Sequence, residues 1–134
     1  MASAFCTAGK LAMLDEVVGH TWKAALYTSS ATIDASTPAY TTTDEVASSG
    51  GYTAGGNTLT GATTGSGSDT AWLDFNDTTW ASATFTARFM LIYDSSDSDR
   101  AYVVIDFGSD KTGQGGNMVF VFPAADADNA IIRI

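Results

Sequence analysis

The spacing of apolar residues changes once, close to the start of the chain. Between Ser3 and Val18 apolar side chains recur at roughly helical spacing, and Gly19 follows the last apolar pair, where a helix would end. From His20 to Tyr27 apolar and polar residues alternate with a period of two. This change predicts a short N-terminal helix followed by a β-strand with one buried face.

After this strand the pattern predicts further short strands separated by polar turns. The clearest alternation runs from Ala83 to Tyr93, where one face is apolar throughout and the other becomes apolar after Arg88. We therefore expect this strand in the middle of a sheet. Other strands are predicted at 57–63, 70–75, 102–107, 117–122 and 130–134, with connections at 64–69, 76–80 and 108–116.

About seven strands with turn signals every 8–12 residues or so are typical of antiparallel all-β proteins. The predicted fold is all-β: an antiparallel β-sandwich or barrel of about seven strands with a short N-terminal helix. Residues 1–19 are expected to form a helical arm, and residues 20–134 a single β domain.

The charge of the chain restricts its partners. Fifteen acidic and six basic residues give a net charge of −9 across 134 residues, and the basic residues are scattered. Nucleic-acid binding needs clustered Lys and Arg, so no nucleic-acid partner is expected. Anionic membranes are disfavoured for the same reason. No apolar stretch approaches the ~20 residues that cross a bilayer, so no membrane partner is expected either.

Residue types that carry catalysis or bind metals are scarce. His20 and Cys6 are the single histidine and cysteine, so a Cys/His metal site and a nucleophile–histidine pair are both unexpected. The acidic loop 94–99 has oxygen ligands of the kind calcium prefers, but Arg100 follows it directly, which favours a solvated hairpin. We therefore predict no catalytic, cofactor-binding or metal-binding residues, and no enzymatic activity.

Several sequence motifs, taken together in order, resemble a family of small structural proteins encoded by tailed bacteriophages. The resemblance covers roughly residues 22–134 and implies no catalytic or ligand-binding residues. The motifs are WKAALYTSS (22–30), DEV (44–46), GYTAGGNTLTG (51–61), TWA (79–81), TFTAR (84–88) and IDFGSDK (105–111).

This resemblance implies a place in the virion. For a small acidic β-domain, the role that fits best is a capsid decoration, or cement, protein that binds the outer head surface and stabilises the shell. The expected partners are the major capsid protein and other copies of the chain, with a trimer as one form. Two alternatives stay open: a tail, neck or fibre-associated virion protein, and a carbohydrate-binding adhesion module that uses exposed Trp and Tyr side chains.

Five apolar residues are the candidates for an assembly interface. Phe5, Leu11 and Leu14 share the apolar side of the predicted helix, which would dock on the shell, on a neighbouring copy or on its own domain. Tyr52 lies between two Gly pairs in a sharply turning loop, and Trp80 ends a predicted turn. Aromatic side chains of this kind often anchor protein interfaces.

Overall fold

A computed structural model describes all 134 residues and shows a mostly β chain with one helix near its start. This confirms the predicted all-β class with antiparallel strands and a short N-terminal helix, although there are nine strands instead of about seven. In chain order the elements are α1 (Thr7–Val17), β1 (Trp22–Tyr27), β2 (Asn57–Thr58), β3 (Thr63–Gly67), β4 (Thr70–Asp74), β5 (Thr78–Trp80), β6 (Thr86–Asp94), β7 (Arg100–Thr112), β8 (Met118–Phe120) and β9 (Ile132–Arg133).

The chain divides into two compact units, each built from separate stretches of sequence. The helical unit comprises Met1–His20, Thr60–Asp77 and Val121–Ile134. The sheet unit comprises Thr21–Leu59 and Thr78–Phe120.

A four-stranded antiparallel sheet in the order β2-β1-β6-β7 forms the centre of the sheet unit. Met90, Leu91 and Ile92 are consecutive on β6 and are all fully buried. Because consecutive side chains of a strand point to opposite faces, both faces of β6 are covered. The predicted strand at 83–93 thus occupies a central position, as expected. A second, two-stranded sheet pairs β5 with β8.

Strand β7 is twice as long as the sequence indicated. It continues into the predicted Gly-rich connection at 108–116 and ends at Thr112. Gly108, with φ +78°, lets the strand bend and resume. The pairing of β7 with β6 shifts register there, beside Arg88, and again near Tyr93. The Arg88 guanidinium bonds Asp106 at 2.8 Å, and this hydrogen bond lowers the pKa of the Asp106 carboxyl.

In the helical unit, β3, β4 and β9 form an antiparallel sheet, and α1 packs on β3 and β4. The predicted connection at 64–69 is wrong, because most of it belongs to β3. Only Ser68 and Asp69 turn, both with left-handed φ values of 49° and 62°. A two-residue turn of this kind matches the twist of a hairpin, so the strands extend to its edge.

Two other sequence-based boundaries also move. The predicted strand at 57–63 is interrupted: β2 ends at Thr58 and β3 begins at Thr63. The predicted turn at 76–80 contains a short strand, β5, because Thr78, Thr79 and Trp80 pair with β8. Helix α1 begins at Thr7, since the preceding Cys6 is in an extended conformation.

Candidate functional site

The five residues predicted as interface candidates lie in different surroundings. Leu14, Tyr52 and Trp80 are buried, with exposed fractions of 5, 3 and 3%. Leu11 is half-buried, and Phe5 is 59% exposed. In this conformation the three buried side chains belong to the protein's own core, so Phe5 and Leu11 are the ones with surface to offer a partner.

Aromatic packing explains why Tyr52 and Trp80 turn inward. Their ring centroids are 6.1 Å apart, and the Phe85 ring lies 5.5 Å from Tyr52 and 6.4 Å from Trp80. Such ring pairs stabilise a core beyond the area they bury. The Gly-rich loop around Tyr52 is therefore anchored from within the sheet unit.

Glu45 fixes the same loop through its carboxylate. The Tyr40 and Tyr52 hydroxyls donate to it at 2.6 and 2.5 Å, and the Gly55 backbone N–H donates at 2.8 Å. The Tyr52 hydroxyl also accepts the Leu26 backbone N–H at 3.0 Å. One carboxylate thus joins the polar loop after β1, the Gly-rich loop and, through Tyr52, the strand itself.

The tyrosines of this cluster act as hydrogen-bond donors. Burial, followed by the hydrogen bond to Glu45, raises the pKa of both Tyr40 and Tyr52 far above the usual tyrosine value. Burial also raises the pKa of Tyr27 to about 12. The phenols therefore stay protonated near neutral pH, which suits structural hydrogen bonds.

Sequence reasoning missed the role of Glu45. The residue lies in the DEV motif, which the resemblance singled out, but nothing local to residues 44–46 shows that two tyrosine hydroxyls converge on it. Those contacts span five to ten residues of irregular loop. The available signal was the joint presence of an acid and of Tyr52 in motifs a few residues apart.

In the acidic loop 94–99, Asp94 and Asp97 use their carboxylates within the loop and its immediate flank. Asp94 accepts the backbone N–H of Ser96 at 3.0 Å and its hydroxyl at 2.6 Å. Asp97 bonds the Arg100 guanidinium at 2.7 Å. No group of three or more His, Cys, Asp or Glu side chains is placed to hold a metal ion.

An open groove of about 550 Å³ runs along the loop 32–43 of the sheet unit. Asp34 is the charged residue of its lining. The Asp34 carboxylate accepts the Ser36 backbone N–H at 2.8 Å, and the Asp34 N–H donates to the Thr37 hydroxyl at 2.9 Å. These polar groups hold the turns of the loop itself.

Two of the three tryptophans are unavailable to a surface ligand. Trp22 and Trp80 are 1 and 3% exposed, and Trp72 is half-buried. Stacking on a sugar ring requires an exposed aromatic face, which the two buried indoles do not present.

Asp74 is a buried acid in the helical unit. It is 2% exposed, its Oδ1 accepts the Phe75 N–H at 2.9 Å, and no hydrogen bond of good geometry reaches its Oδ2, although the Ile131 N–H lies close enough to interact with the carboxyl. Burial raises the pKa of Asp74. The Phe75 and Ile131 backbone N–H groups oppose this, and the nearby charges of Asp77 and Asp126 add to it, so the net shift of the pKa is upward. An unsatisfied buried carboxylate oxygen destabilises the folded state.

Replacing Asp74 with Asn is expected to stabilise the protein at neutral pH by about 1 kcal/mol, because a neutral amide costs less to bury than a carboxylate. A raised folded-state pKa means that the folded chain holds this proton more tightly than the unfolded chain does. The Asp74 contribution is therefore most favourable below the unfolded pKa and is lost as pH rises through the folded pKa. Urea unfolding of both proteins should show a gap at neutral pH that closes in acid; a constant gap would contradict the assignment.

Comparison with known proteins adds no relative. No family model, curated protein or solved structure matches the chain. The single helix, α1, is too short to be a candidate membrane span.

Proposed function

We propose that the chain is a structural protein of a tailed-bacteriophage virion, and that it decorates the outer head surface by binding the major capsid protein. The observation that carries this proposal is that residues from separate motifs contact one another inside the sheet unit. Glu45, Tyr52, Gly55 and Trp80, all within the motifs that resemble the phage family, are engaged with one another in holding the sheet unit together. These motif residues therefore stabilise the fold. Motifs with a structural role suit a structural protein that assembles with other proteins in a virion.

The charge distribution supports the same role. A net charge of −9 keeps the chain away from the DNA that fills a head and keeps it soluble before assembly. Both properties are compatible with a protein that is added to the outside of a head.

Exposed apolar side chains supply the surface for assembly. Val121 is 74% exposed, Phe5 59%, Met13 55% and Val119 52%. Single exposed apolar residues are ordinary, but several large ones on a chain of 134 residues offer contact area to other proteins.

Copy number in the virion tests the proposal. Particles of the phage that encodes the chain are purified, and the chain is quantified by mass spectrometry against the major capsid protein. A decoration protein is expected at hundreds of copies per particle. A few copies, found in isolated tails or necks, would assign the chain to the tail or neck instead, and complete absence from particles would overturn the virion assignment.

A second measurement addresses shell stability. Heads that lack the chain are heated with and without added purified protein, and DNA release is followed with a fluorescent dye. Added protein is expected to raise the release temperature, because many weak contacts on one shell combine. Equal release temperatures would contradict a cement role. Binding to a glycan array would favour the adhesion alternative.

A further inference from the structure

The last stretch of the helical unit, residues 121–134, is attached to the rest of that unit at its two ends, and we call it the C-terminal strap. At its start the Phe122 N–H donates to the Asp77 carboxylate at 2.8 Å. At its end Ile134 exchanges two backbone hydrogen bonds with Ala71, at 3.0 and 2.9 Å, beside the two-residue edge strand β9. The turn between these ends hydrogen-bonds within itself.

The buried acid Asp74 lies between the two attachments. It directly follows Leu73, which pairs with Ile132 of β9, and it precedes Asp77 by three residues. The N–H of Ile131, also in the strap, lies close to the Asp74 carboxyl, yet no hydrogen bond of good geometry reaches the buried Oδ2. The carboxyl is therefore enclosed where the strap meets the sheet.

The charged groups that act on Asp74 are both negative. One is Asp77, which holds the start of the strap, and the other is Asp126 in the strap itself. Arg133, the one base of the strap, acts on Asp126, and its guanidinium donates to the backbone carbonyl of Asp128. Closing the strap thus brings like charges toward Asp74 without a base that neutralises it.

The other elements beside Asp74 bring no charge to its face of the sheet. On β3 the residue directly opposite Asp74 is Thr63. Helix α1 packs on the other face, because its Asp15 bonds Thr64 and consecutive side chains of a strand point to opposite faces. Lys10 of the helix bonds the backbone of the turn between β3 and β4.

We propose that the strap opens as a unit when Asp74 ionises, so that it is held closed in mild acid and released as the pH rises toward neutrality. Burial and the two nearby carboxylates raise the pKa of Asp74 in the closed state, and opening returns it to its ordinary value. The closed state therefore loses stability relative to the open state as pH rises through the closed-state pKa. Opening would leave the β9 side of β4 unpaired.

Asp126 responds to pH in the opposite sense. The side chain of Asn129 hydrogen-bonds Asp126 and lowers its pKa, so the contribution of Asp126 is present above the ordinary Asp pKa and is lost as pH falls. Asp74 acts above that ordinary value and Asp126 below it. The strap should therefore be most stable near the ordinary value, at about pH 4.

Hydrogen exchange of the purified chain, followed by NMR from acidic to neutral pH, tests the proposal. The amides of Phe122 and Ile134 report the two attachments, and protection factors remove the intrinsic pH dependence of exchange. Above the ordinary Asp pKa both amides should lose protection together, by up to about tenfold per pH unit, until Asp74 is ionised in the closed state as well. Protection that stays constant over this range would overturn the proposal.

Comparison with the central strand β6 shows whether the strap opens separately. The strap amides should be less protected than those of β6 and should depend less on urea, because opening the strap exposes less surface than global unfolding does. Equal protection with equal urea dependence would mean that the strap opens only when the whole protein unfolds, and the proposal would be wrong.

Three variants identify the group that titrates. Asp74→Asn should abolish the loss of strap protection above the ordinary Asp pKa, whereas the control Asp69→Asn, which removes an exposed acid of the same unit, should retain it. Asp77→Asn keeps an acceptor oxygen for the Phe122 N–H but removes a charge beside Asp74, so the loss should become smaller and move to lower pH. A wild-type response in both Asp74→Asn and Asp77→Asn would overturn the assignment. If Asp74→Asn does not fold, Asp77→Asn decides. The purified chain suffices, so the outcome is independent of the virion role.

Discussion

Replacing Gly56 with alanine is expected to destabilise the protein by about 3–5 kcal/mol. Gly56 has φ +79°, and a Cβ at this position would overlap the backbone carbonyl of Ala24 on β1. Because that carbonyl belongs to a buried central strand, neither atom has room to retreat. The loss should appear as a lower urea midpoint with an unchanged m-value.

Gly108 offers a matched control for this prediction. Its φ is +78°, almost the same as that of Gly56, but a Cβ there would meet no atom within 4 Å. Gly108→Ala should therefore cost only the conformational term, about 1 kcal/mol. The difference between the two variants measures the close approach alone, and equal losses would mean that backbone strain explains both.

Replacing Glu45 with alanine is expected to cost about 3 kcal/mol. The substitution removes the carboxylate that accepts hydrogen bonds from the Tyr40 and Tyr52 hydroxyls and the Gly55 N–H. These three donors then lose that acceptor in a partly buried cluster. Because the loop around Tyr52 depends on these bonds, its amides should also lose protection from hydrogen exchange before the strands do.

Glu16→Ala serves as the control for the loss of an acid. Glu16 is exposed on α1, so its replacement should change the free energy of unfolding by less than about 0.5 kcal/mol. Glu45→Gln, which keeps one acceptor oxygen, should fall between the two. A Glu45→Ala loss as small as that of Glu16→Ala would contradict the structural role of the cluster.

Strand periodicity identified the central elements of the fold but not its edges. Residues 83–93 alternate strongly because their environment is a packed sheet, and the resulting strand, β6, is buried as predicted. In contrast, β3 contains two glycines and two threonines, which resemble a loop in composition, and only its pairing with β4 makes it a strand. Local propensity is weak where tertiary pairing decides.

The candidate interface residues likewise show that local sequence does not determine whether a side chain is buried. An aromatic side chain beside glycines or turn residues is compatible with a surface anchor and with a core residue, and Tyr52 and Trp80 proved to be core residues. Their burial depends on Phe85, which is remote from Tyr52 in sequence. Phe5 is exposed because it precedes the helix and lies against Gly9 rather than against the sheet.

The two register shifts in the edge strand β7 affect the tendency of the protein to aggregate at high concentration. An unbroken, flat edge strand recruits strands from neighbouring molecules, and this leads to aggregation. Near Gly108 and again near Tyr93 the pairing of β7 is irregular, so the regular stretch between the shifts is only a few residues long. Concentrated solutions of this protein should therefore remain clear rather than form amyloid-like fibrils that bind thioflavin T.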